Sequence, residues 1–133
     1  LIGHSMGGYV NLEFYKKFPT MTKTIVLMNS TTREDSEEQR LNRNRASALV
    51  QKNKVAFVNM AISNLLTPKS NKKLKMEVEE LKKKAVKMST KGIIASLQGM
   101  KIRTENTGSF TKFEGTKYII AGKEDPVLDF NSL

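Results

Sequence analysis

Residues Gly3-His4-Ser5-Met6-Gly7-Gly8 spell a G-x-S-x-G pattern, with an amphipathic segment directly behind it. Few motifs constrain a fold so tightly. A serine that must stand clear of a sheet needs a strand, a sharp turn and a helix, in that order. The turn holds the serine in a strained backbone conformation. Close packing accounts for Gly3, Gly7 and Gly8, where side chains would collide with neighbouring backbone. The helix behind Ser5 turns its free N–H groups and positive dipole end toward the serine. The pattern reads as a nucleophile elbow: Ser5 Oγ is the reactive atom, acyl transfer the reaction class, and the Met6 N–H a donor to an oxyanion.

The flanking sequence supplies the expected context. Leu1-Ile2 reads as the end of a buried strand. A helix is predicted from about Gly7 to Phe18, with Tyr9 or Val10, Phe14 and Phe18 at helical spacing and Pro19 as its stop. Thr24 to Asn29 is a short apolar run that suits a strand buried on both faces of a parallel sheet. Lys117 to Ala121 reads as another buried strand. It is closed by Gly122-Lys123-Glu124-Asp125-Pro126.

Between these strands the character is helical. Ser36-Glu37-Glu38-Gln39 forms a capping box. The helix behind it breaks near Asn53, and Val55, Val58, Ile62 and Leu65 then share one face. Residues 71–89 place Leu74, Val78, Leu81, Ala85 and Met88 on one stripe, with lysines opposite. A further helix spans Thr90 to Lys101.

Composition bounds the rest. The 133 residues carry a net charge of +10 and no cysteine, so disulfides, thiolate metal sites and a cysteine nucleophile are excluded. No apolar run reaches the roughly 20 residues that span a bilayer. No metal-ligand cluster and no phosphate-binding G-x-G-x-x-G loop is present, and no cofactor is expected. The cations are mostly lysine with few aromatics among them, whereas base readout favours arginine and single strands favour aromatic stacking. The lysine-rich face therefore reads as solvated, with no specific nucleic-acid or membrane partner. The alternative is a non-catalytic binding module that uses this face.

His4 is the sole histidine. Its side chain leaves the turn in a different direction from Ser5, so it is read as a packing and hydrogen-bonding residue beneath the elbow, not as a base. Asp125 follows a strand on the edge where ligands bind in parallel sheets, and fits the acid that orients an imidazole. Glu124 and Asp129 sit less naturally at the strand end. Asn29-Ser30-Thr31 matches a glycosylation sequon but falls at a strand end and carries no weight.

Leu1 to Tyr9, Phe18-Pro19, Ile25 to Ser30, Met100 to Arg103 and Tyr118 to Asp125 together resemble the α/β-hydrolase fold family. The resemblance implies an α/β fold: part of a mainly parallel sheet, holding the end of strand five and strands six and seven, with a helical cap as an insert. By the same resemblance residues 1–30 and 104–133 are hydrolase core and 31–103 the cap or lid, an interior slice of a protein of roughly twice this length. Ser5 resembles the nucleophile, Met6 the oxyanion donor and Asp125 the triad acid. The family's catalytic histidine lies beyond the acid and its second oxyanion donor lies upstream. The expectation is a fragment of a serine hydrolase that cleaves esters or related acyl compounds, inactive as given. Its exposed sheet edges would let two copies pair as a homodimer.

Overall fold

A computed structural model describes residues 1–132. Three strands, β1 (Ile2–His4), β2 (Thr24–Met28) and β3 (Thr116–Ile120), form one parallel sheet in the order β1-β2-β3. The chain divides into two compact units. One comprises Leu1–Glu34 and the chain from Arg103 onward, and the other Asp35–Ile102.

The first unit holds the sheet. Its helix α1 (Met6–Lys17) connects β1 to β2, and α7 (Thr107–Lys112) precedes β3. A β-branched, apolar β2 sends alternate residues to opposite faces. Ile25 and Leu27 are fully buried on one face, where they pack with Leu12 of α1 and with Phe113. The Tyr15 ring closes this core edge-on to Phe113, 4.8 Å between centroids. Each of these aliphatic side chains contributes about 1.5–3 kcal/mol by burial. Lys16, Thr104 and Asn106 each donate to Glu13 Oε1 at 3.0 Å, and Lys16 also donates to the Thr104 hydroxyl at 2.9 Å, which ties α1 to the segment before α7.

The opposite face of the sheet is open. The register sets Ile2, Val26 and Tyr118 in one row, and His4, Met28 and Ile120 in the next. Ile2 is 72%, Tyr118 56% and Ile120 53% exposed. The expectation of strands buried on both faces is therefore corrected: β2 is buried on one face only, and β1 and β3 are largely exposed. Periodicity reports that a segment suits a double-sided sheet, not that a second layer is present. In α1 the buried positions are Gly8 and Leu12, whereas Val10 and Phe18 of the expected apolar spacing are exposed. The α1 face toward the sheet is the one that carries Gly8 and Leu12.

The second unit is helical: α2 (Glu37–Lys52), α3 (Lys54–Ser63), α4 (Pro68–Lys73), α5 (Lys75–Val86) and α6 (Thr90–Lys101). Ser36 and Gln39 make the reciprocal capping box at the start of α2. Asn53 ends α2 and accepts the Ala56 N–H to begin α3. The core is Val50, Val58, Ile62, Val78, Ile93 and Leu97. The predicted stripe over 71–89 is corrected: the helix breaks at Leu74, and of the five stripe residues only Val78 is buried. The unit is too small to cover the whole stripe, so Leu74, Leu81 and Met88 stay exposed.

Candidate active site

Ser5 stands where β1 turns into α1, with φ 51° and ψ −121°. No other residue of either strand end except Asn29, φ 43°, has positive φ among the described non-glycine residues. Such a conformation costs a side-chain-bearing residue about 1–3 kcal/mol, so its surroundings must enforce it. The Ser5 N–H donates to the Met28 carbonyl at 2.9 Å. The Ser5 carbonyl accepts from the Gly8 N–H at 2.9 Å and from the Ser30 hydroxyl at 2.8 Å. Ser5 occupies the N-cap position of α1, yet its side chain makes no capping bond, unlike Ser36 and Ser89 at their helices. Its Oγ is left exposed above the strand ends.

The glycines divide. A Cβ on Gly3 would collide with the Gly7 backbone and the Asn11 amide, and one on Gly8 would overlap Ser30. These two positions need glycine because β1, α1 and Ser30, two residues past β2, approach so closely. Gly7 is different: a Cβ there meets nothing within 4 Å, so packing within this chain does not require it. Met6 opens α1, and its N–H has no partner in the preceding turn of the helix.

Asp125 lies five residues past β3. One carboxylate oxygen accepts the N–H groups of Val127 and Leu128 at 2.8 and 3.0 Å. The other accepts the side-chain amide of Asn29 at 2.5 Å. Partial burial pushes the Asp125 pKa up. The Asn29 amide, the two backbone N–H groups and the charge of His4 outweigh it, and the carboxyl lies below its ordinary value. Asp125 is thus held as an oriented anion.

The three strands end level. His4, Met28 and Ile120 are register partners, so Ser5, Asn29 and the loop leading to Asp125 leave the sheet on one edge. Neighbouring strands lie about 4.8 Å apart, which sets the ends of β1 and β3 about 10 Å from each other. Ser5 and Asp125 share this edge without a hydrogen bond between them among the described residues, a gap that a bridging group would fill. His4 is exposed, which corrects the expectation that it is packed beneath the elbow. It ends β1 in register with Met28 and Ile120. Glu124 is exposed, and Asp129 accepts the Asn131 N–H in a local turn.

Sequence reasoning missed two residues here. Asn29 grips Asp125, and Ser30, fully buried, supports the elbow. Both belong to the Asn29-Ser30-Thr31 tripeptide, whose sequon carries no weight because it falls at a strand end. Their position directly after a strand that ends beside the elbow was the available clue. The groove lined by Tyr15, Thr22 and Phe113 lies at the other end of the strands and has no part in this arrangement.

Solved structures share this fold. The chain is similar to a thermophilic esterase from Thermogutta terrifontis, in its malate-bound form, with a TM-score of 0.82 and 24% identity over 92% of this chain and 45% of the esterase. It is also similar to an enol-lactonase from Burkholderia xenovorans LB400, with a TM-score of 0.77 and 14% identity over 92% of this chain and 46% of that enzyme. The chain has the α/β-hydrolase fold and spans about half the length of these structures. No protein-family model matches the sequence, and no curated protein matches it.

Proposed function

We propose that this chain carries the nucleophile and the acid of a serine hydrolase that cleaves carboxylic esters or related acyl bonds. The observation that carries the reading is the strained, uncapped Ser5 at the start of α1, level with the anchored carboxylate of Asp125. In the proposed reaction Ser5 Oγ attacks the acyl carbon while an imidazole takes its proton. The Met6 N–H donates to the oxyanion that forms. The leaving oxygen takes the proton from the imidazolium as its bond to carbon breaks, and water then releases the acyl group from Ser5. Asp125 orients the imidazole and stabilises its charged form.

The one histidine of this chain, His4, directly precedes the nucleophile and is not that imidazole. The proposed base comes from outside these 133 residues, and the chain by itself has no Ser5-dependent turnover. Two assays test this. A fluorophosphonate should label Ser5 in a folded longer protein that contains this chain, and lack of labelling there would overturn the nucleophile assignment. Hydrolysis of p-nitrophenyl acetate by the 133-residue chain, abolished by Ser5→Ala, would overturn the claim that the base is external.

A further inference from the structure

The excess positive charge is concentrated in one place. The Asp35–Ile102 unit holds 15 Lys and Arg against six Asp and Glu, which is +9 of the net +10. No acidic residue occurs between Glu38 and Glu77, or between Glu80 and Glu105. The fold brings these two acid-free stretches together. Helix α2 packs on α6, and α3 on α5, so the α2–α3 junction meets the α5–α6 turn. The Lys54 ammonium fixes that meeting by donating to the Met88 carbonyl at 3.0 Å.

The result is one end of the helical unit with Lys52, Lys54, Lys87 and Lys91 and no carboxylate in its sequence segments. Two helices end here and two begin, so their dipoles largely cancel and the lysines set the field. Next to Lys54 and Lys87 in the chain, Val55 is 48% and Met88 52% exposed, although the unit has a core available to apolar side chains.

We propose that this end of the helical unit docks on an anionic lipid surface, with the lysines at the headgroups and Val55 and Met88 at the acyl boundary. The choice of lipid over nucleic acid rests on chemistry. The cations at this end are all lysine, which binds as a point charge and lacks the bidentate fork that reads bases. The unit's one aromatic, Phe57, is packed against its core, so no ring is free to stack on a base. Exposed aliphatic side chains ringed by lysines suit a bilayer interface instead. No described helix is long and apolar enough to cross the membrane, so the contact is peripheral. This inference does not depend on the role of Ser5.

The chain has no tryptophan, so Met88→Trp introduces a single reporter. Its emission should shift to the blue with vesicles of phosphatidylcholine containing phosphatidylserine, and stay unchanged with phosphatidylcholine alone. Each lysine near the surface is worth about a fivefold change in partitioning. Lys52→Gln, Lys87→Gln and Lys91→Gln together should lower binding on the order of a hundredfold, read by vesicle co-sedimentation of the full chain. The control triple Lys17→Gln, Lys23→Gln and Lys112→Gln has the same net charge and should lower it far less. Equal losses in the two triples would overturn the proposal, since net charge alone would then account for binding. So would the absence of a blue shift at low salt, or binding to duplex or single-stranded DNA without binding to the anionic vesicles.

Discussion

Ser5 keeps a backbone conformation that only its neighbours make tenable. Ser5→Gly should therefore raise stability by about 1 kcal/mol in urea denaturation, because glycine accepts φ 51° without strain. Ser30→Ala removes a buried donor to the Ser5 carbonyl and should cost about 1 kcal/mol. Gly8 and Ser30 compete for one volume, so Gly8→Ala should cost about 1–3 kcal/mol, and distinctly less in a Ser30→Gly background. Additive losses in that double-mutant cycle would refute the direct clash. Asp125 gives a pH prediction. Its folded pKa is lowered, so its contribution to stability is full above the ordinary carboxylate value and is lost as pH falls through the lowered one. The Asp125 carboxyl carbon should titrate below ordinary aspartates by NMR, and Asn29→Ala should move it upward. The motif Gly3 to Gly8 made the elbow legible because Gly3 and Ser5 answer to local backbone demands. Asn29 was not legible, because its bond to Asp125 spans 96 residues and appears only when β2 and β3 are paired.

At the scale of elements, local chemistry was read well and packing was not. The capping box at Ser36, the break at Asn53 and the helix Thr90–Lys101 all follow from side chains that act within one turn. The stripe over 71–89 failed because periodicity describes what a helix offers, not what arrives to cover it. Val78→Ala should thus destabilise the chain by about 2 kcal/mol, whereas Leu81→Ala should change the thermal midpoint little. Equal effects would restore the continuous stripe.

For the whole molecule the open sheet face and the basic helical unit make opposite demands on salt. We expect the row Ile2, Val26 and Tyr118 to drive self-association of this chain, visible as a concentration-dependent mass in sedimentation. Salt should strengthen that association, because it screens repulsion between copies of charge +10 while leaving apolar contact intact. Tyr118→Lys with Ile120→Lys should weaken it. Docking on anionic vesicles should weaken as salt rises. The same titration therefore separates the two surfaces.

By itself the sequence determined the strand–turn–helix at Ser5, the parallel α/β character and most helix limits, since these arise from backbone sterics and contacts within a few residues. It also determined the amount of charge, though not where that charge would gather. Only the tertiary structure decided that one face of the sheet is bare, that Asn29 and Ser30 serve Asp125 and Ser5, and that two acid-free stretches meet at Lys54 and Met88. Those outcomes depend on which distant segments pair, and no local pattern of side chains encodes that pairing.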